Sequence, residues 1–249
     1  MKPDAIERHE LSHASSARGG SAARRGAWLA AALLGISACQ GAGETPPEEG
    51  TGAAGESLGL YSGIPQDGNV LGDPGAPLTL FEFSDLRCSH CRDAALEVLP
   101  AIVERHVRPG HVKVVFMNVT FLGPGSVRAA RMAAAVGMQD QLWDFVDHYF
   151  RLQARERPAA ITDDLLLRVL AELPGVDAAQ ALAQRGSAEV DQQIEAARSE
   201  ASRLQIRGVP AFFLGRAGEE PRRIRLTSMS PEPISGAIAQ LLRATPATP

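Results

Sequence analysis

The chain has 249 residues, with Lys+Arg 25 against Asp+Glu 29 for a formal net charge of −4. That length holds one domain with an insertion, or two small ones, around a proper core, and with no basic surplus nucleic acid is excluded as an expected partner. Three cysteines, Cys39, Cys88 and Cys91, are too few for a disulfide framework that staples a weak core.

Residues 1 to 23 are small and polar with no apolar period, which predicts either disorder or a translation start placed too early. Arg24-Arg25, the apolar run Ala27–Leu34 and Gly35-Ile36-Ser37-Ala38 then follow the order of a charged region, a hydrophobic region and a cleavage region. Residues 1–38 read as a signal peptide with an extra N-terminal tail. The apolar run is too short for a comfortable membrane span. Ile36-Ser37-Ala38-Cys39 resembles a bacterial lipobox, which implies lipid on Cys39 and an exported protein anchored to a membrane of the cell envelope; the alternative is a plain secretory signal. Residues 39–57, rich in Gly, Ala, Glu, Pro and Thr, predict a flexible tether.

Leu58–Ile64 is expected as a short edge strand, and Gly72–Pro77 as a turn cluster. The β-prone run Leu78–Phe83 predicts a buried central strand ending at Ser84 and Asp85. From Arg92 onward Ala94, Ala95, Val98, Leu99 and Ile102 recur at helical spacing, so Cys88 falls at a helix start and Cys91 inside the first turn, on the same side. Unpaired N–H groups there favour a thiolate, and His90, Arg87 and Arg92 push the same way. Cys88 is therefore expected to have a depressed pKa and to be a good leaving group, with the less exposed Cys91 as resolving partner. Cys-x-x-Cys is also a zinc-ligand spacing, but no second pair exists and the other ligands would have to come from His90, His106, His111 or His148. Redox chemistry is favoured, with no metal and no cofactor beyond the disulfide itself.

Pro109-Gly110 breaks the helix, and His111–Val119 predicts a second buried strand, parallel to the first. Ser126–Val136, Gln139 to about Arg155, Asp163–Leu173, Asp177–Arg185 and Ala188–Leu204 all read as helices, with Ser126 and Thr162 as N-caps. They form a helical block inserted into an α/β domain, with Trp143, Phe145, Tyr149 and Phe150 as the block's core. Arg207–Gly215 returns to strand character with Pro210 at the strand's first position. Arg222–Thr227 is its hairpin partner, and Pro231–Leu242 is a closing helix with Ile234, Ile238, Leu241 and Leu242 on one face. Residues 245–249 are expected to fray.

Phe81-Glu82-Phe83 leading into Cys88-Ser89-His90-Cys91, with Gly208-Val209-Pro210-Ala211-Phe212-Phe213 downstream, resembles the DsbA-like thiol oxidoreductases of the thioredoxin superfamily. The resemblance implies a thioredoxin fold in two parts, 58–124 with the dithiol and 205–244 with the proline strand, around a helical insertion at 125–204. It also implies that Pro210 is cis and lies against the dithiol, with the Val209 backbone pairing with an extended substrate. Glu82 matches the family's buried acid, proposed as a proton acceptor; the bland alternative is a strand-end carboxylate that reaches water. Two departures stand out. The lysine that accompanies that acid is replaced by Phe116, and Ser89 stands where proline is usual before His90.

The expected activity is exchange of the Cys88–Cys91 disulfide with thiols of exported proteins, as an oxidase recharged by a membrane redox partner. A reductase or isomerase would use the same residues. A non-catalytic binding or chaperone module on the same fold is the reading from another class.

Overall fold

The computed structural model describes residues 59–244. The expected signal peptide, Cys39, the tether and Leu58 lie outside the described residues, as do residues 245–249. Six strands form one sheet in the order β1-β2-β4-β3-β5-β6: β1 Gln66–Asp67, β2 Val70–Leu71, β3 Leu78–Ser84, β4 Val112–Asn118, β5 Ala211–Arg216 and β6 Arg222–Ile224. β3 pairs in parallel with β4 and antiparallel with β5, so it lies inside the sheet. A strand held on both edges must be apolar on both faces, as Leu78–Phe83 is, apart from Thr79 and Glu82.

The edge strand expected at Leu58–Ile64 is not there. Gly59–Ile64 folds as turns, with Ser62 N–H donating to Gly59 O at 2.9 Å and Ile64 N–H to Tyr61 O at 3.1 Å. Gly63 takes φ 73°, which glycine adopts at little cost, and Tyr61 and Ile64 turn into the core. The edge is made instead by β1 and β2, folded around Gly68 at φ 56°.

The segment after the dithiol alternates α1 (Ser89–Asp93), a π turn at Ala94–Val98, α2 (Leu99–Ile102) and a second π turn at Val103–Val107. Pro100 has no N–H and its ring crowds the preceding turn, so the ladder widens there: Leu99 N–H reaches Ala94 O, five residues back.

Between β4 and β5 run α3 (Pro124–Gly137), α4 (Leu142–Glu156), α5 (Asp163–Ala171), α6 (Ala178–Gln184) and α7 (Ala188–Arg203). Thr162 caps α5 by accepting from Leu165 N–H at 3.2 Å. Ser126 does not cap α3. The helix begins two residues earlier, where Gly123 at φ 93° precedes Pro124, whose fixed φ suits the first position, and this leaves Ser126 buried in the first turn.

Trp143, Phe145, Tyr149 and Phe150 are fully buried. The Trp143 ring lies 5.8 Å from Tyr61 and 5.8 Å from Phe116 of β4, so the aromatic cluster is a core shared with the sheet, not one private to the helical block. A smaller cluster on the opposite face joins Phe83, Met117 and Phe213 to Ala197 and Ala201 of α7. Pro210 stands one residue before β5 and not at its first position, and the hairpin partner is shorter than expected, ending at Ile224. α8 (Glu232–Arg243) buries Ile234 and Ile238, but Leu242 is 37% exposed. At 100° per residue Leu242 lies about 40° beyond Ile238, on the outer edge of the face that Ile234, Ile238 and Leu241 share.

Candidate active site

β3 ends at Ser84, and Asp85 turns the chain into α1. Cys88 is the N-cap of that helix, at φ −82° and ψ 122°, and its Sγ accepts from Cys91 N–H at 3.4 Å. A side-chain acceptor at this position satisfies an N–H that the helix cannot pair, and here the acceptor is the sulfur itself. Both cysteines are free thiols in this structure. Cys91 is fully buried, and its Sγ accepts from Asp85 N–H at 3.5 Å. Ser89 and His90, the two residues between the sulfurs, are exposed.

This asymmetry sets the charges. The hydrogen bond from the Cys91 side chain lowers the Cys88 pKa most; burial opposes it, and the N–H groups of Cys91 and His90 and the His90 charge add to the lowering, which brings the thiol down to about 6. Cys91 is pushed far up, first by burial and then by the Cys88 sulfur beside it. One negative charge therefore sits on Cys88 at neutral pH. The arginines expected to help do not turn toward it: Arg87 Nη1 donates to Leu122 O at 2.6 Å, and Arg92 pairs with Asp93 at 2.6 Å.

The Val209–Pro210 peptide bond is cis. The Val209 carbonyl oxygen lies 3.6 Å from Cys88 Sγ, so a segment 121 residues downstream closes the site opposite the helix. Val209 and Pro210 are half-buried.

Glu82 is 1% exposed, and neither carboxylate oxygen has a hydrogen-bond partner. The alternative in which it reaches water is thereby excluded. Burial pushes its pKa up to about 8, because a carboxylate is costly to ionise away from water. Strand alternation puts Glu82 on the face of Leu78 and Leu80, whose core includes Cys88 and Cys91. Its neighbours in register are Phe116 on β4 and Phe212 on β5; among the described residues it has no salt bridge.

In the sequence Asp85 marks only the end of the central strand. It is fully buried, and its carboxylate accepts from Arg87 N–H at 2.8 Å and Leu122 N–H at 3.0 Å, while its own carbonyl accepts from Cys88 N–H at 2.9 Å. Asp85 thus ties the dithiol turn to the loop after β4, where Phe121 and Leu122 are 44% and 43% exposed. An aspartate bonding the N–H two residues on is a recognised turn device, so half of this knot was available in the sequence; the contact with Leu122 was not. Among the described residues no group of three or more His, Cys, Asp or Glu is arranged to hold a metal ion.

A reactive, ionised sulfur beside a buried protonated one, with the Val209 backbone carbonyl 3.6 Å away, is suited to thiol–disulfide exchange. Comparison with known proteins agrees. The family model described as thioredoxin matches residues 66–225. The probable disulfide bond formation protein D of Bacillus anthracis is 31% identical over 147 residues, 58% of this chain and 68% of that one. In fold, the chain is similar to oxidised BdbD of Bacillus subtilis, with TM-score 0.62, 23% identity, and coverage of 72% of this chain and 94% of that one. It is also similar to DsbA of Chlamydia trachomatis, with TM-score 0.59, 19% identity, and coverage of 71% and 93%.

Proposed function

Given that the chain belongs to the thioredoxin family, as a DsbA-like protein-disulfide oxidoreductase, we propose that it works as an oxidase that passes the Cys88–Cys91 disulfide to thiols of exported proteins. The observation that carries this direction is the N-capping sulfur of Cys88, whose thiolate is favoured down to about pH 6. A thiolate this comfortable stabilises the dithiol form, and what stabilises the dithiol makes the disulfide oxidising.

In the forward direction a substrate thiolate attacks Cys88 Sγ, the Cys88–Cys91 bond breaks, and Cys91 leaves with the electron pair. Cys91 then takes a proton, as its raised pKa requires. Glu82, buried and protonated up to about pH 8, serves in this reading as proton donor in this step and acceptor in the reverse one. The substrate's second thiolate attacks its own sulfur in the mixed disulfide and releases the Cys88 thiolate. Two electrons have then passed from two substrate thiols to the Cys88–Cys91 pair, and a membrane partner must remove them. The Val209 carbonyl beside Cys88 is suited to pair with an extended substrate backbone, and Ser89 and His90 are exposed next to the reacting sulfur. Export through residues 1–38 and anchoring through lipid on Cys39 complete the proposal and rest on the sequence motif.

The test is trapping. Cys91→Ala removes the resolving sulfur and should accumulate mixed disulfides through Cys88 in an exporting cell; their absence overturns exchange. A dithiol found reduced at rest in the same cells, by alkylation, overturns the oxidase direction alone.

A further inference from the structure

Next to Pro210 the sheet opens. β5 and β6 pair at Leu214–Arg222, Phe213–Arg223 and Phe212–Ile224, and pairing stops there. Continuing that register would set Arg225 opposite Ala211 and Leu226 opposite Pro210, but the strands part instead. The gap is a recess of about 510 Å³ lined by Pro210, Ala211, Phe212, Arg223, Ile224, Arg225 and Leu226. Its only charged side chains are those of Arg223 and Arg225, and no carboxylate lines it.

Both guanidinium groups are available. Arg223 and Arg225 are exposed and, among the described residues, appear in no salt bridge or side-chain hydrogen bond. Most other arginines near the surface are paired: Arg105 with Glu232, Arg203 with Glu200 and Glu220, Arg198 with Glu195. Arg223 is steadied over the Phe213 ring, with its Cζ 6.0 Å from the ring centroid, an attraction that leaves the N–H groups free. Alternation along β6 places Arg223 on the Phe213 side of the strand and Ile224 on the other, and Arg225 follows directly after the strand's end, in the lining of the same recess. The chain as a whole carries −4, so this cationic spot is local and not part of a basic field.

Position gives it meaning. The recess begins at Pro210, and the preceding Val209 carbonyl lies 3.6 Å from Cys88 Sγ. A substrate segment lying along Val209 with its cysteine at Cys88 carries its next side chains into the recess. We propose that this recess is a specificity subsite for Asp or Glu side chains flanking the reacting cysteine of the substrate polypeptide. The two guanidinium forks match carboxylates in geometry as well as charge. The inference rests on the disulfide-exchange reading above and adds the class of substrate sequence that the site prefers.

The experiment follows the reduction of the oxidised protein by single-cysteine peptides that carry two Asp, two Ser or two Lys on either side of the cysteine. Rates are corrected for each peptide's thiolate fraction, with dithiothreitol as a reactant that has no side chain to place. Acidic peptides should react roughly 3- to 10-fold faster than the Lys peptides at low salt, for one arrangement of charges about the cysteine, and 1 M salt should erase the difference. The double variant Arg223→Gln, Arg225→Gln should bring the ratio to about one, and Arg223→Lys, Arg225→Lys should keep most of it. If wild-type protein reacts with dithiothreitol but treats all peptides alike, the subsite is overturned and exchange stands. A preference that survives the Gln substitutions also overturns it. If the wild-type disulfide fails to react with dithiothreitol at all, the exchange reading falls first.

Discussion

Glu82 stands directly across from Phe116 in the parallel register of β3 and β4, so the buried acid faces an aromatic ring where a cation would otherwise neutralise it. The pairing explains why burial alone sets its pKa, near 8 in place of the usual 4.5. Its effect on stability has a definite sign. Between about pH 4.5 and 8 the unfolded chain gives up this proton while the folded one keeps it, so stability falls as pH rises through that window and levels off above it. Glu82→Leu should therefore stabilise the protein by on the order of 2–4 kcal/mol at pH 8 and by much less at pH 5. Urea unfolding of both proteins at the two pH values checks this; an equal difference at both would show that Glu82 is ionised in the folded state.

The thiol of Cys88 should ionise with a midpoint near pH 6, read as thiolate absorbance or as the pH dependence of alkylation. Because the hydrogen bond from Cys91 is the largest cause, Cys91→Ala should move the midpoint upward and Cys91→Ser, which keeps a donor, should move it less. Equal midpoints in the two variants would assign the effect to the helix N–H groups instead. In the dithiol form a lowered pKa adds stability that is complete above the unfolded thiol's pKa and is lost as pH falls toward 6. The reduced protein should gain stability relative to the oxidised one between pH 6 and 9.

Asp85 joins the dithiol turn to the Phe121–Leu122 loop through two accepted N–H bonds. Asp85→Ala leaves both donors without that partner and should cost about 2 kcal/mol or more of unfolding free energy. Asp85→Asn, which keeps one good acceptor, should cost less. Urea melts at neutral pH measure both, and an unchanged midpoint for the Ala variant would mean the knot contributes nothing.

Trp143 packs on Tyr61 and Phe116 at once, which couples α4 to the sheet. Trp143→Ala should destabilise by about 3–5 kcal/mol. The remaining structure should still melt as a single transition when helical content and near-ultraviolet signal are followed together; two transitions would separate the helical block from the sheet.

What was legible in the chain followed from strong local patterns. The apolar run Leu78–Phe83 and the Cys-x-x-Cys at a helix start needed only periodicity and end chemistry, and the structure places both as those rules require. Ser126 misled because a good capping residue was outcompeted by a glycine–proline pair just upstream. Leu58–Ile64 misled because its glycines turn the chain and Tyr61 is claimed by Trp143, a contact 82 positions away in number. Arg87 and Arg92 are near Cys88 in sequence, but each has a closer oxygen to bind, and no reading of neighbours along the chain reveals that. The recess at Arg223 and Arg225 was equally hidden, since it exists only where two paired strands separate.

The wall of the site opposite the helix arrives late. Cys88 and Val209 are 121 residues apart, and a chain made from its N-terminus presents the dithiol to its surroundings long before the second jaw exists. Until the last strands are in place the sulfurs have no surface against which a client can be held straight.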